Sequence, residues 1–213
     1  PHQLTEPEER VMTELDVTGS SAFRRLFTEQ VSAIDVALPD LEAPAPLELA
    51  LSRLQDPDRD LREQAAGAIT DSLRPGLRSR AYVFNTLLAD KSTKDRLRDY
   101  PSWIASRNLS NEASDESVEA LIQAVVGRYE LARRWYRLKA GLLGLDRLAY
   151  WDRMAPLAET DEHVPYDEAR QIVLDCYSGF SPELGEVAGG FFGDGYIDAP
   201  ARPGKRGGAF CSY

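Results

Sequence analysis

Apolar positions recur at helical spacing over most of this chain. Thr5-Glu-Pro-Glu8 has the form of a capping box, with Pro7 in a first turn where a missing N–H does no harm. It predicts a helix to about Leu15. Gly19 and Ser20 break that helix and cap the next, Ser21 to about Ile34, in which Phe23, Leu26, Phe27 and Val31 share a face. Pro39, Pro44 and Pro46 make residues 35–46 a loop with a short strand at 34–37, a plain connector rather than a hinge. Asp56-Pro57 reads as a cap and a first-turn proline. The helix after it buries Leu61, Ala65, Ile69 and Leu73 and ends at Pro75-Gly76. Leu77 to about Asp90 forms another, carrying Tyr82, Val83, Phe84, Leu87 and Leu88. Residues 91–99 mix both charges and read as a solvated helix face. Tyr100-Pro-Ser interrupts, and Trp103 and Ile104 drop into a core.

Ser114, with Asp115 and Glu116, opens what reads as the longest helix, to about Leu143. Val118, Ile122, Val125, Tyr129, Ala132 and Tyr136 form its buried stripe. Gly141 and Gly144 loosen its end. Asp146 to Leu157 holds Tyr150, Trp151 and Met154. Helices follow over Tyr166–Tyr177 and from Ser181 to about Phe192, the second stopped by Gly193-Asp-Gly195. Then the period changes. Tyr196 to Asp198 is short and strand-like, Pro200, Pro203 and Gly204 make a turn, and Gly207-Gly-Ala-Phe-Cys211 resumes as an apolar strand. Glycine inside such a run marks close approach of a ligand or another backbone. The sum is about eight helices and two short strands, a mainly α fold. Three parts suggest themselves: a helical part over 1–113, the long helix and its successors over 114–195, and the strand-bearing tail over 196–213.

Composition narrows the function. The chain has 213 residues, 43% of them hydrophobic, and a formal net charge of -10. That is enough apolar content for a real core. An acidic chain without a basic stripe argues against nucleic acid and anionic membranes as partners. No apolar run is long enough to span a membrane, and no signal-peptide pattern opens the chain. Two cysteines, Cys176 and Cys211, make no disulfide framework and favour a reducing cytoplasm.

Candidate chemistry is sparse. Zinc at a catalytic site commonly takes three protein ligands. The histidines are His2, near the terminus, and His163, in the acidic loop Thr160-Asp-Glu-His-Val164. Asp161, Glu162 and His163 are adjacent loop residues, and such residues rarely converge on one ion. There is no H-E-x-x-H and no C-x-x-C. Cys176 reads as a small buried hydrophobe, and Cys211 has no neighbouring histidine to activate it. Gly204-Lys-Arg-Gly-Gly208 lacks the spacing of a phosphate loop. Arg202, Lys205 and Arg206 read either as a solvated turn, or as groups that hold the turn against acids or contact a peptide carboxylate.

The tail pattern, Tyr196-Ile-Asp-x-x-x-Arg-x-Gly-Lys-Arg-x-Gly-Ala-Phe210, resembles the oligoendopeptidase F branch of the thimet-type zinc metallopeptidases. Tyr100-Pro-Ser-Trp-Ile-Ala-Ser-Arg-Asn-Leu109 and Leu143-Gly-Leu-Asp-Arg-Leu-Ala-Tyr-Trp-Asp-Arg-Met-Ala-Pro-Leu157 are similar to segments of the same family, so the resemblance runs from Leu4 to Cys211. It implies a helical wall of a zincin-type oligopeptidase channel. It also implies an edge strand, Gly208, Ala209, Phe210 and Cys211, that pairs with substrate backbone. Zinc and the catalytic groups belong, by resemblance, to an H-E-x-x-H helix some tens of residues past the tail, so this segment itself carries no catalytic or metal residue. The expected partners are short peptide substrates and the remainder of the same polypeptide. The alternative is a non-catalytic helical scaffold or peptide-binding module derived from such a peptidase.

Overall fold

The computed structural model describes residues 2–157, 164–200 and 205. They form two compact units, residues 2–157 with Lys205 and residues 164–200. The fold is mainly α, with one two-stranded sheet among the described residues.

Helix α1 (Glu6–Asp16) starts at the capping box. The Glu8 carboxylate accepts hydrogen bonds from the Thr5 backbone N–H (2.9 Å) and hydroxyl (2.6 Å). Helix α2 (Ser20–Ser32) follows. The shared face is only partly covered: Leu26 and Phe27 remain exposed. The proline-rich connector becomes the centre of the larger unit. Strands β1 (Asp35–Val36) and β2 (Ala45–Pro46) pair antiparallel, Asp35 with Pro46 and Val36 with Ala45. Proline is tolerated there because β2 has only one strand neighbour. Val36, Leu38, Ala45 and Leu47 pack with Ala50, Ala65 and Ile69 into the hydrophobic core, under helices α3 (Leu47–Ser52) and α4 (Arg59–Leu73).

The cap of α4 lies two residues later than the Asp56-Pro57 pair suggests. Asp58 accepts from the N–H groups of Asp60 (2.8 Å) and Leu61 (3.4 Å), while Asp56 accepts from Asp58 N–H (2.9 Å). Gly76, at φ +75°, turns the chain into helix α5 (Leu77–Leu97). This helix, at 21 residues, is the longest described, and it runs through the charged stretch that follows Asp90. That stretch is no idle solvated face. Lys94 bridges to Asp16 at 2.6 Å and to Asp90 at 2.9 Å, and Arg98 holds Glu9 with two bonds of 2.5 and 2.7 Å. The pairs with Asp16 and Glu9 tie α5 and its C-cap to α1. His2 stacks on Tyr100, with ring centroids 4.2 Å apart.

After helix α6 (Ala105–Ser110), Ser114 caps helix α7 (Asp115–Val126) by accepting from Ser117 N–H at 3.2 Å. The expected single long helix is interrupted at Gly127-Arg128 and resumes as α8 (Tyr129–Leu142). Its expected buried stripe is exposed: Ile122 by 42% and Val125 by 51% of their surface, with Tyr129 and Tyr136 similarly open. Trp103, expected in the core, is 76% exposed. Helical spacing reports an apolar face; it does not report what covers that face.

In the second unit, α9 (Tyr166–Phe180) and α10 (Pro182–Gly193) form a helical hairpin. Ser181 ends one and caps the other, its hydroxyl oxygen accepting from Leu184 N–H at 3.4 Å. The helices approach closely at Gly185, where a Cβ would lie 3.0 Å from Ser178 Cα. Cys176, expected to be buried, is exposed on α9.

Candidate functional site

The tail grows out of the second unit. Gly195, at φ +75°, closes α10, and Tyr196 N–H donates to Phe191 C=O at 3.2 Å. The Tyr196 and Phe191 rings meet edge to face with centroids 5.8 Å apart. Ile197 joins Val173, Tyr177, Leu184 and Val187 around an apolar cleft of about 320 Å3 between α9 and α10. Tyr196 to Asp198 is irregular rather than a strand, and it pairs with no strand among the described residues. Gly208, Ala209, Phe210 and Cys211 lie outside the described residues, as do Arg202, Arg206 and the 160–163 loop with His163.

The strongest polar centre lies in the larger unit, at the segment around Tyr150. Asp152 sits in a short 3-10 turn, Tyr150–Asp152, and is fully buried. Arg59 forks onto it, Nε to Oδ1 and Nη2 to Oδ2, both at 3.1 Å. Arg62 Nη2 donates to Oδ1 at 3.0 Å, and Ala149 N–H donates to Oδ2 at 2.8 Å. Arg62 is itself buried and donates through Nη1 to the carbonyls of Asp56 (2.8 Å) and Pro57 (2.9 Å). Burial alone would raise the Asp152 pKa. The bonds from Arg59, Ala149 and Arg62 outweigh it and hold the carboxyl below its ordinary value. The Tyr150 hydroxyl donates to Ala66 C=O at 3.1 Å, and Arg59 lies over the Trp151 ring at 6.0 Å. This centre fastens the 146–157 segment to α4. Sealed from solvent, Asp152 positions that segment. Two arginines at i, i+3 on one helix are its only local sequence signal.

Among the described residues, no three His, Cys, Asp or Glu side chains converge to hold a metal. The His2 ring donates through Nδ1–H to the Arg98 backbone oxygen (2.8 Å) and stacks on Tyr100. The described residues therefore offer zinc no ligand set. No helix among them is long and apolar enough to cross a membrane.

A model of peptidase family M3 matches residues 52–213. The chain belongs to that family. Among family M3 relatives, the group B oligopeptidase PepB of Streptococcus agalactiae is 28% identical over 160 residues, covering 75% of this chain and 27% of that protein. An oligoendopeptidase F homolog of Lactococcus lactis subsp. lactis is 22% identical over 75% of this chain and 26% of its own length. The chain thus spans about a quarter of the length of the curated relatives it matches. In fold it is similar to a protein designated oligoendopeptidase F from Bacillus anthracis, with a TM-score of 0.84 at 16% identity, over all of this chain and 39% of that one. It is also similar to PZ peptidase A, with a TM-score of 0.78 at 18% identity, over 91% and 35%. The oligoendopeptidase F resemblance carried by the 100–109, 143–157 and 196–210 segments is thereby borne out.

Proposed function

We propose that these residues are part of a zinc-dependent oligoendopeptidase that hydrolyses peptide bonds in short peptides in the cytoplasm. The match of peptidase family M3 to residues 52–213 carries this reading. The oligopeptidase names of its relatives supply the substrate class. In this reading the helices form part of the wall of a peptide channel. Gly208 to Cys211 act as an edge strand that pairs with substrate backbone and fixes its register without reading side chains. The metal, for which the described residues have no ligand set, is assigned to the rest of the polypeptide.

The test uses the full-length polypeptide and internally quenched peptides of five to fifteen residues or so, a length that a narrow channel admits. Cleavage that stops on chelation and returns with stoichiometric zinc is the expected result. Failure to cut any such peptide sinks the peptidase reading, and cleavage indifferent to chelation sinks the zinc. Gly208→Val tests the strand: kcat/KM should fall with a rise in KM and unchanged zinc content, because a β-branched side chain obstructs an approaching backbone.

A further inference from the structure

A cleft of about 400 Å3 opens in the larger unit between α8 and the segment that follows it. Tyr136, Arg137, Arg147, Tyr150 and Arg153 line it, with Asp146 as the one acid. Its volume lies in the range of small-ligand sites. Charge is gathered there against the trend of the chain. Residues 128–153 hold seven arginines and lysines and three carboxylates, whereas the whole chain holds 25 and 35. Two of those three carboxylates are already engaged. Asp152 is buried against Arg59 and Arg62, and Glu130 pairs with Arg133 and Arg137. Arg147 and Arg153 make no ion pair among the described residues.

Behind the cleft stands Lys139, 6% exposed, whose ammonium donates to the Arg153 backbone oxygen at 2.8 Å and has no carboxylate partner. A buried cation beside a low-dielectric wall strengthens the positive potential of the cleft. A guanidinium matches a planar carboxylate by two-pronged hydrogen bonding, Arg147 and Arg153 both line this cleft, and the partly exposed rings of Tyr136 and Tyr150 offer apolar flanks.

We propose that this cleft is a subsite for a peptide carboxylate, with Arg147 and Arg153 as the groups that bind it. The proposal rests on the reading that the substrate is a short peptide, and it deepens that reading by naming a feature of the substrate. The carboxylate can come from the peptide's C-terminus or from an Asp or Glu side chain, since both present the same fork.

Fluorescence anisotropy of the 213-residue chain decides it with three labelled penta-alanine probes: the free acid, its C-terminal amide, and an amide bearing one Glu. The free acid should bind, and the plain amide should bind about tenfold more weakly, the scale of one charge-assisted hydrogen-bond pair. Arg147→Gln/Arg153→Gln should weaken acid binding by about the same factor, with circular dichroism unchanged because both side chains are exposed. Binding of the Glu-bearing amide supports a side-chain source, and binding of the free acid alone supports the C-terminus. No binding of any probe overturns the proposal. So does equal binding of acid and plain amide, or of wild type and double variant, or tighter competition by an oligothymidylate. Hydrolysis is not read here. A full-length polypeptide that cuts peptides equally well with the double substitution therefore removes the subsite and keeps the function. Retained carboxylate binding without any cleavage does the reverse.

Discussion

Arg62 and Asp152, ninety positions apart in sequence, meet at 3.0 Å with both side chains withdrawn from solvent. The contact joins α4 to the turn at Tyr150–Asp152, and Arg59 completes it from the solvent side. Removing one member of a buried pair leaves the other charge uncompensated.

Asp152→Ala and Arg62→Ala should therefore each cost about 3–5 kcal/mol in urea denaturation. Arg59→Ala, at the exposed edge of the same centre, should cost about 1 kcal/mol or less. Equal losses at Arg59 and Arg62 would contradict the burial that separates them.

Acid should loosen the α1–α5 contact in a defined window. Arg98 and the Leu4 N–H hold the Glu9 carboxyl at about 2, below its ordinary 4.5. A depressed carboxylate contributes stability above its unfolded-state value and loses it as pH falls through the folded one. Between about 4.5 and about 2 the midpoint of unfolding should fall, and Glu9→Gln should flatten that part of the profile. Asp16, lowered chiefly by Lys94, Ser20 and Ser21, and Asp152 act in the same direction, so Glu9→Gln should reduce the slope without abolishing it.

Burial separates two apolar helix positions of similar appearance. Ile69→Ala, in the core beneath the β hairpin, should cost about 2–5 kcal/mol. Ile122→Asp, on exposed α7, should cost about 1 kcal/mol or less in the 213-residue chain, most of it helix propensity. A large loss at Ile122 would show that its stripe is covered.

Close approach of α9 and α10 depends on a missing side chain. Gly185→Ala should destabilise the hairpin by about 1–3 kcal/mol, because the new Cβ falls 3.0 Å from Ser178 Cα. Ser178→Ala should recover part of that loss by removing the hydroxyl that the new methyl meets. Differential hydrogen exchange of α9 and α10 reads both changes.

Local signals were legible in the sequence. The Thr5–Glu8 box and the caps at Ser114 and Ser181 appear where their spacing puts them, since each acts within three or four residues. The strand at Val36 was legible too, but its partner at Ala45-Pro46 was hidden by proline, which marks turns as often as edges. Periodicity at Ile122, Val125 and Trp103 predicted burial that the structure does not show, because amphipathy describes one surface and burial needs two. Asp58 took the cap from Asp56 through a difference of two residues that spacing alone does not resolve. The Asp152 centre was out of reach: nothing local joins positions 62 and 152. The edge strand expected at Gly208 to Cys211 lies outside the described residues.

Joining Arg62 to Asp152 also sets an order of events in time. The contact closes a loop of ninety residues, and bringing the ends of such a loop together costs about 4 kcal/mol of chain entropy before any bond rewards it. Local pieces, the α3–α4 corner with its hairpin and the capped helices, should then assemble on their own contacts first, and the buried ion centre should form after the folding barrier has been crossed. Asp152→Ala should accordingly leave the refolding rate near that of the parent and speed unfolding, so that the centre acts as a latch on the lifetime of the native state rather than as a seed for its formation.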